Sequence, residues 1–442
     1  NISYVLEHQI KLIKPEADIL KNINKTADEF CSSLNKKLKN KKIKADVFIG
    51  GSLAKKTLVK KDKYDTDIFV RFENEKDIQK LKSLLKKAKI VHGSRDYYHF
   101  NIKKTMCNKH LFLGCSEIKK YGLISDIKDV LIEVVPVLKI KKPEQAKNVT
   151  DLSYFHVSYV LNKIKKSPKL ADEIILAKSF CYAQNCYGAE SYIKGFSGYA
   201  LELLICHYGS FEKFLRQVAK VGKENQKVII DDSGFYKGKD VLIELNESKI
   251  NSPIILIDPT FKERNTCAGL SKETFERFKE SCKRFLKKPS SEFFIEKNIG
   301  NELKNKYGKK MIIITAKTNK QAGDIAGTKL KKFFGFFISK LKRDFKIKIA
   351  EFDYNEKKNI AEFYLIIEKK KDEIIRGPPI TALAFLKNFK KAHSNAFIKG
   401  KYAYAKIKHD LSFKDFFRKF KEKDKKIIRE MSIKSIELNS IS

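Results

Sequence analysis

Residues 47–72 read VFIGGSLAKKTLVKKDKYDTDIFVRF, and the alternation within this stretch decides the fold. The β-branched and aromatic content of Val47-Phe48-Ile49, and again of Asp65 to Phe72, predicts two strands. Between them Gly50-Gly51-Ser52 marks a turn into a basic helix start. On a strand, residues two apart share a face, so Asp65 and Asp67 project together while Thr66, Ile68, Val70 and Phe72 face the other way. Two carboxylates side by side repel each other unless a cation lies between them. Mg²⁺ is the expected ion, because it prefers hard oxygen ligands and nucleotide phosphates. A third acid, Glu133, interrupts the apolar strand VLIEVVPVL of 130–138, where packing has no use for a charge. Pairing of the two strands would set it beside the aspartates. The turn glycines would let backbone N–H groups approach a phosphate at a helix start that favours anions. Each signal is weak alone: a D-x-D is commonly a solvated strand edge, a lone Glu an ion-pair partner, and a turn glycine needs no ligand.

The bulk properties bound the rest. At 442 residues, with 42% hydrophobic content, about two to four globular domains are expected. The longest aliphatic runs, such as Ile254-Ile255-Leu256-Ile257, are far too short to span a bilayer. The polar, amphipathic start shows no apolar segment ending in a small-residue cleavage site, so a cytoplasmic protein is expected, with a few residues missing before Asn1. A net charge of +40, from 93 basic and 53 acidic residues, favours an extended polyanion through counterion release. A lysine-rich composition bias would raise the same number, so charge supports nucleic-acid binding and is silent on chemistry. None of the 8 cysteines (Cys31, Cys107, Cys115, Cys181, Cys186, Cys206, Cys267, Cys282) forms a C-x-x-C pair. Most lie in apolar segments, which predicts reduced thiols and no structural zinc.

Outward from the acids, residues 1–45 read as one or two helices interrupted by Pro15, and a Lys-rich helix is expected near 75–88. From 154 to 286 the pattern is mostly helical, punctuated by the glycines of YGAESYIKGFSGYALELLICHYGSF (187–211). From about 300 it becomes β-α-β-β: MIIIT (311–315), an amphipathic helix over 326–345, then KIKIAEFDY and AEFYLIIE. Gly377-Pro378-Pro379 predicts a break, and the chain beyond Lys401 is rich in Lys and Arg with a helix carrying Phe416, Phe417 and Phe420.

IGGS (49–52), Asp65-Thr66-Asp67 and Glu133 together resemble the polymerase-β-type nucleotidyltransferase superfamily. Within it, Tyr187-Gly188-Ala189-Glu190, Gly195-Phe196-Ser197-Gly198-Tyr199, Glu202-Leu203-Leu204 and Tyr208-Gly209-Ser210-Phe211 resemble the archaeal-type (class I) CCA-adding enzymes. Ile257-Asp258-Pro259 with Arg264-Asn265, and Pro289-Ser290 with Phe293-Phe294, resemble the blocks that follow. The resemblance implies an α+β, multidomain architecture. It would comprise a catalytic head (1–153), a helical neck (154–298), an α/β body (299–376) and a basic, tRNA-binding tail (377–442). It implies that Asp65, Asp67 and Glu133 bind two Mg²⁺ ions and carry catalysis. Gly51, Ser52 and Lys55 would hold the triphosphate, His156, Lys178 and Tyr187 would contact triphosphate and sugar, and Arg264 would help read the base. A cation on a phosphate and a planar donor fork on a base edge suit Lys178 and Arg264. For each, a surface salt bridge or, for Tyr187, core packing is the plainer alternative. The chain departs from the family at Glu133, where Asp is usual, at Lys55, where Arg is common, and in Leu152-Ser153-Tyr154-Phe155-His156, where Arg-Thr-Pro-x-His is common.

The implied reaction is template-independent addition of CCA to tRNA from CTP and ATP, with pyrophosphate release. The expected partners are therefore tRNA, CTP and ATP, with no membrane; a homodimer is compatible. Two rivals stay open: a poly(A)- or oligoadenylate-forming nucleotidyltransferase on the same head, and a catalytically silent RNA-binding protein. Whether all of CCA or only part is added also stays open.

Overall fold

The computed structural model describes residues 1–61, 63–86, 88–91, 95–102, 130–222 and 226–440. Cys107 and Cys115 lie outside them; Cys31, Cys181, Cys186, Cys206, Cys267 and Cys282 are free thiols. Contacts divide the chain into two units, Asn1–Ala189 with Ile193–Glu296, and Glu190–Tyr192 with Lys297–Ser442. Among the described residues no helix is long and apolar enough to cross a membrane.

The first unit opens with the helices Ile2–Ile13 and Ala17–Asn40, separated at Pro15. A five-stranded sheet follows: β1 (Ala45–Ile49), β2 (Tyr64–Phe72), β3 (Lys89–Val91), β4 (Tyr97–Ile102) and β5 (Val130–Leu138), in the order β1-β2-β5-β4-β3. Among the described strands of this sheet only β2 and β5 pair in parallel. Helix Ala17–Asn40 repeats apolar residues at helical spacing (Ile23, Ala27, Phe30, Leu34, Leu38), and these pack on Ile68, Val70, Phe72, Ile132 and Val134. Burying Leu34 or Leu38 contributes about 1.5–3 kcal/mol each; Leu38→Ala would cost about 2–5 kcal/mol once the cavity is counted. Because period-two alternation fixes which side is greasy, the opposite face of β2, with Asp65 and Asp67, is left for chemistry. The expected helix near 75–88 is only a 3-10 turn, Glu75–Lys80, and one α-turn, Leu81–Leu84. Its lysines mark a solvated face without enough apolar residues to pack a longer helix. At the end of β5, buried Asp151 accepts the N–H groups of Leu138, Lys147 and Asn148 and an Arg95 hydrogen bond. The stretch before His156 is thereby a 3-10 turn, Val149–Leu152, running into helix Ser153–Lys166.

The longer remaining helices of this unit are Lys169–Ala183, Gly198–Tyr208, Phe211–Lys220 and Lys272–Lys287. Ser197, Ser210 and Ser271 cap three of them through side-chain oxygens, and Gly209, at φ +78°, ends one in the left-handed region. Phe180 on Lys169–Ala183 is fully buried, ringed by Phe211, Phe278, Phe285 and Phe294. The mostly helical reading of this region omits a three-stranded sheet, β6 (Val228–Ile230), β7 (Ile254–Asp258) and β8 (Phe261–Asn265). Its central strand is the run Ile254–Ile257, buried on both faces and so without alternation.

The second unit holds β9 (Ile312–Thr318), helix Gly323–Asp344, β10 (Phe345–Asn355) and β11 (Ile360–Lys369), the β-α-β-β order read from the sequence. Beyond them come β12 (Glu373–Pro379), helix Leu383–Ala392, β13 (Ala396–Lys399), β14 (Tyr402–Ile407), helix Phe413–Lys423 and β15 (Ile433–Ser440). Strand β15 pairs with β9, giving the order β10-β11-β9-β15. Phe413, Phe416, Phe417 and Phe420 share one core with Phe333, Phe337 and Phe363. Strand β15, read above as part of a separate basic tail, thus completes this sheet, and helix Phe413–Lys423 packs into its core. Gly377-Pro378-Pro379 is no break: it ends β12, an edge strand of the sheet β12-β14-β13, with its pairing shifted between Arg376 and Pro379. An edge is where a strand tolerates residues without a donor N–H.

Candidate active site

The chemistry starts from strand register. Asp67 stands opposite Glu133 in the parallel pair β2/β5, and His99 of β4 stands opposite Glu133 on its other side. His99 Nε2 lies 2.7 Å from Glu133 Oε1. Burial raises the Asp67 carboxyl to about 6; Glu133 adds to the rise and Lys55 opposes it. Asp65 is raised too, by burial first and then by Glu133. Gly51, at φ +57°, makes the approach of the turn possible: a Cβ there would lie 1.7 Å from Asp67 Oδ2. The turn is tied to the strand by Gly50 N–H donating to the Asp67 carbonyl at 2.8 Å. Among the described residues no group of three His, Cys, Asp or Glu side chains is placed closely enough to hold a metal ion. The donor set nevertheless suits one: hard carboxylate oxygens on neighbouring strands, where burial and then Glu133 raise both aspartates.

Beside this turn lies a buried charge cluster. Lys178 is 2% exposed, and its Nζ donates to Ser52 Oγ at 3.0 Å, Thr57 Oγ1 at 2.9 Å and Glu202 Oε1 at 2.8 Å. Lys55 donates to the other Glu202 oxygen at 2.5 Å. Burial works against the Glu202 charge, but Lys178 and Lys55 outweigh it and hold the carboxyl below its ordinary value. Burial lowers Lys178 in turn. Three elements far apart in sequence therefore meet: the glycine turn, helix Lys169–Ala183 and helix Gly198–Tyr208.

Tyr199, one turn before Glu202, leads to a second cluster. His156 stacks on its ring at 4.1 Å between centroids. Asp258, fully buried, lies 3.0 Å from His156 Nε2 and accepts from Arg264 Nη1 at 3.0 Å and from Tyr199 Oη at 3.2 Å. Lys55 Nζ is 6.0 Å and Arg264 Cζ 5.7 Å from the Tyr199 ring centre, so this ring neighbours both cations. Tyr187 is stacked on Tyr182 at 3.9 Å, and a Cβ on Gly198 would lie 2.7 Å from its hydroxyl.

Of the residues singled out from sequence, the structure gathers Asp65, Asp67 and Glu133 on one sheet face, Ser52, Lys55 and Lys178 at the turn, and His156 with Arg264 on Asp258. Tyr187 lies against Gly198 in the same wall of helices. As groups in their own right, Glu202, Tyr199, Asp258 and His99 were missed. Glu202 had the same signal as Glu133, a charge inside an apolar run (ALELLI, 200–205).

Residues 172–295 match the family described as tRNA nucleotidyltransferase, second domain, a span that includes Lys178, Glu202, Asp258 and Arg264. A CCA-adding enzyme of Nanoarchaeum equitans (strain Kin4-M) is 31% identical over 366 residues, covering 80% of this chain and 81% of that protein. The chain belongs to the CCA-adding enzyme family. The CCA-adding enzyme of Methanocaldococcus jannaschii is 29% identical over 415 residues, covering 90% of this chain and 86% of the relative. That of Saccharolobus islandicus (strain M.14.25 / Kamchatka #1) is 29% identical over 381 residues, covering 82% and 80%. The chain is thus a nucleotidyltransferase with an α+β, multidomain build, and as a CCA-adding enzyme it keeps its acids, its glycine turn and its buried lysines on a single unit.

Proposed function

We propose that this CCA-adding enzyme extends the 3′ end of tRNA with C, C and A from CTP and ATP, releasing pyrophosphate at each step. The observation that carries the reading is the register of Asp67 against Glu133, with Asp65 on the same face and Gly51 pressed against Asp67. Asp65, Asp67 and Glu133 would hold two Mg²⁺ ions. When bound there, the ions lower the pKa of the attacking hydroxyl and neutralise charge on the departing oxygens. The chain's own groups do the remainder. Ser52 Oγ and Lys178 Nζ, 3.0 Å apart, present a donor and a cation to the triphosphate, with Lys55 alongside. Glu202 holds both lysines in place while no phosphate is present. Tyr187 and His156 wall the sugar side. Arg264, a rigid fork of N–H donors, faces the base.

The head, neck, body and tail division is kept as a functional one, with residues beyond 377 gripping the tRNA duplex by shape through phosphates and 2′-hydroxyls. A cytoplasmic setting follows from the tRNA substrate. The test is incubation with tRNA lacking its 3′ end and each nucleoside triphosphate. Growth that stops after C, C and A supports the proposal. Open-ended A tracts favour a poly(A)-type activity, and no metal-dependent pyrophosphate release favours a silent RNA-binding protein.

A further inference from the structure

We infer that Asp258 is a positioning residue for nucleotide choice: its carboxylate fixes the Arg264 guanidinium and the His156 imidazole as one unit against the Tyr199 ring. The inference rests on the proposed reading of Arg264 and His156 as nucleotide-facing groups. Asp258 ends β7, and the chain turns back at Pro259-Thr260 so that Phe261 of β8 pairs with it. That hairpin returns Arg264 to the carboxylate it left six residues earlier. One oxygen, Oδ1, accepts from Thr260 N at 2.8 Å, Thr260 Oγ1 at 2.7 Å and Tyr199 Oη at 3.2 Å. The other, Oδ2, takes Arg264 Nη1 and lies against His156 Nε2, both at 3.0 Å. His156 arrives from helix Ser153–Lys166 and is held on its other side by the Tyr199 ring, 26° from parallel.

The division of exposure gives the arrangement its direction. The Asp258 side chain is 0% exposed and the Arg264 side chain 24%. The carboxylate is sealed from any ligand, while the arginine side chain it holds remains partly exposed. An arginine has five N–H donors in a plane. Asp258 Oδ2 and His156 Nε2 both lie 3.0 Å from Nη1, which holds the fork in one orientation and leaves the Nε and Nη2 donors for a ligand. A long, rotatable side chain held this way loses little further freedom on meeting a base, and a mismatched base edge meets donors that cannot swing to suit it.

The experiment is Asp258→Asn in the full chain, with kcat and KM measured for CTP, ATP, UTP and GTP on tRNA lacking its 3′ end. Preference for CTP and ATP falls by about tenfold or more, chiefly through KM. The Asp258→Asn/Arg264→Ala pair discriminates no worse than Arg264→Ala alone, since both changes release the same fork. Thr260→Val, which removes a single hydroxyl donor from Oδ1, shifts preference the same way by roughly threefold and serves if Asp258→Asn does not fold. Unchanged preference in a folded variant, additive losses in the pair, or an equal fall in kcat for all four nucleotides overturns the inference. Arg264→Ala with preference intact overturns the base-reading assignment beneath it, and the inference with it.

Discussion

Asp67 of β2 and Glu133 of β5 stand directly opposite each other across the parallel strand pair, although 66 positions separate them in the chain. Parallel neighbours in register point to the same side of a sheet, so the face of β2 that carries Asp65 and Asp67 also receives the acid of β5. Burial first, and then the neighbouring Glu133, push both aspartates above the ordinary carboxylate range.

Asp65→Ala or Asp67→Ala removes one acid from this face. Nucleotide incorporation falls by roughly 10³-fold or more while tRNA affinity is retained. Single-turnover incorporation and a tRNA binding titration check this; turnover within about tenfold of the parent removes these residues from catalysis.

Gly51→Ala places a methyl group 1.7 Å from Asp67 Oδ2, at a backbone φ of +57°. The left-handed backbone costs about 1–2 kcal/mol, a modest loss in thermal midpoint. The larger consequence is a displaced carboxylate, and misplacement on the ångström scale costs about a hundredfold in rate. Measuring kcat and melting temperature together separates the two; a full rate shows that Asp67 has no fixed place to lose.

Glu202→Leu keeps roughly the volume but leaves Lys55 and Lys178 without their shared carboxylate. Breaking one side of a buried ion pair costs about 3–5 kcal/mol. Urea unfolding monitored by circular dichroism reads the loss; Glu202→Leu as stable as the parent shows that the lysines find other partners.

The pH dependence of Mg²⁺ stabilisation follows from Asp67, raised from 3.8 to about 6. A raised carboxyl adds stability below its unfolded value, and that contribution is lost as pH rises through the folded one. At pH 8 the protein therefore carries a buried, repelled charge, and at pH 5 it largely does not. Mg²⁺ raises the melting temperature more at pH 8 than at pH 5. Equal shifts at both values place the cation elsewhere.

The sequence alone determined three strands of the sheet that carries the acids, β1, β2 and β5, and alternation with a period of two dictates which of their side chains share a face. It marked Asp65, Asp67 and Glu133 as misfits among apolar neighbours, and it marked the turn by its glycines. Runs without alternation were harder: Ile254–Ile257 is a buried central strand, and local pattern does not separate that from a helix. Tertiary structure decided the rest. Glu202 joining Lys55 to Lys178, Asp258 joining His156 to Arg264, and β15 returning to β9 are contacts between residues up to more than a hundred positions apart. Such pairings arise from packing and from the need to neutralise every buried charge, and no spacing along the chain encodes them.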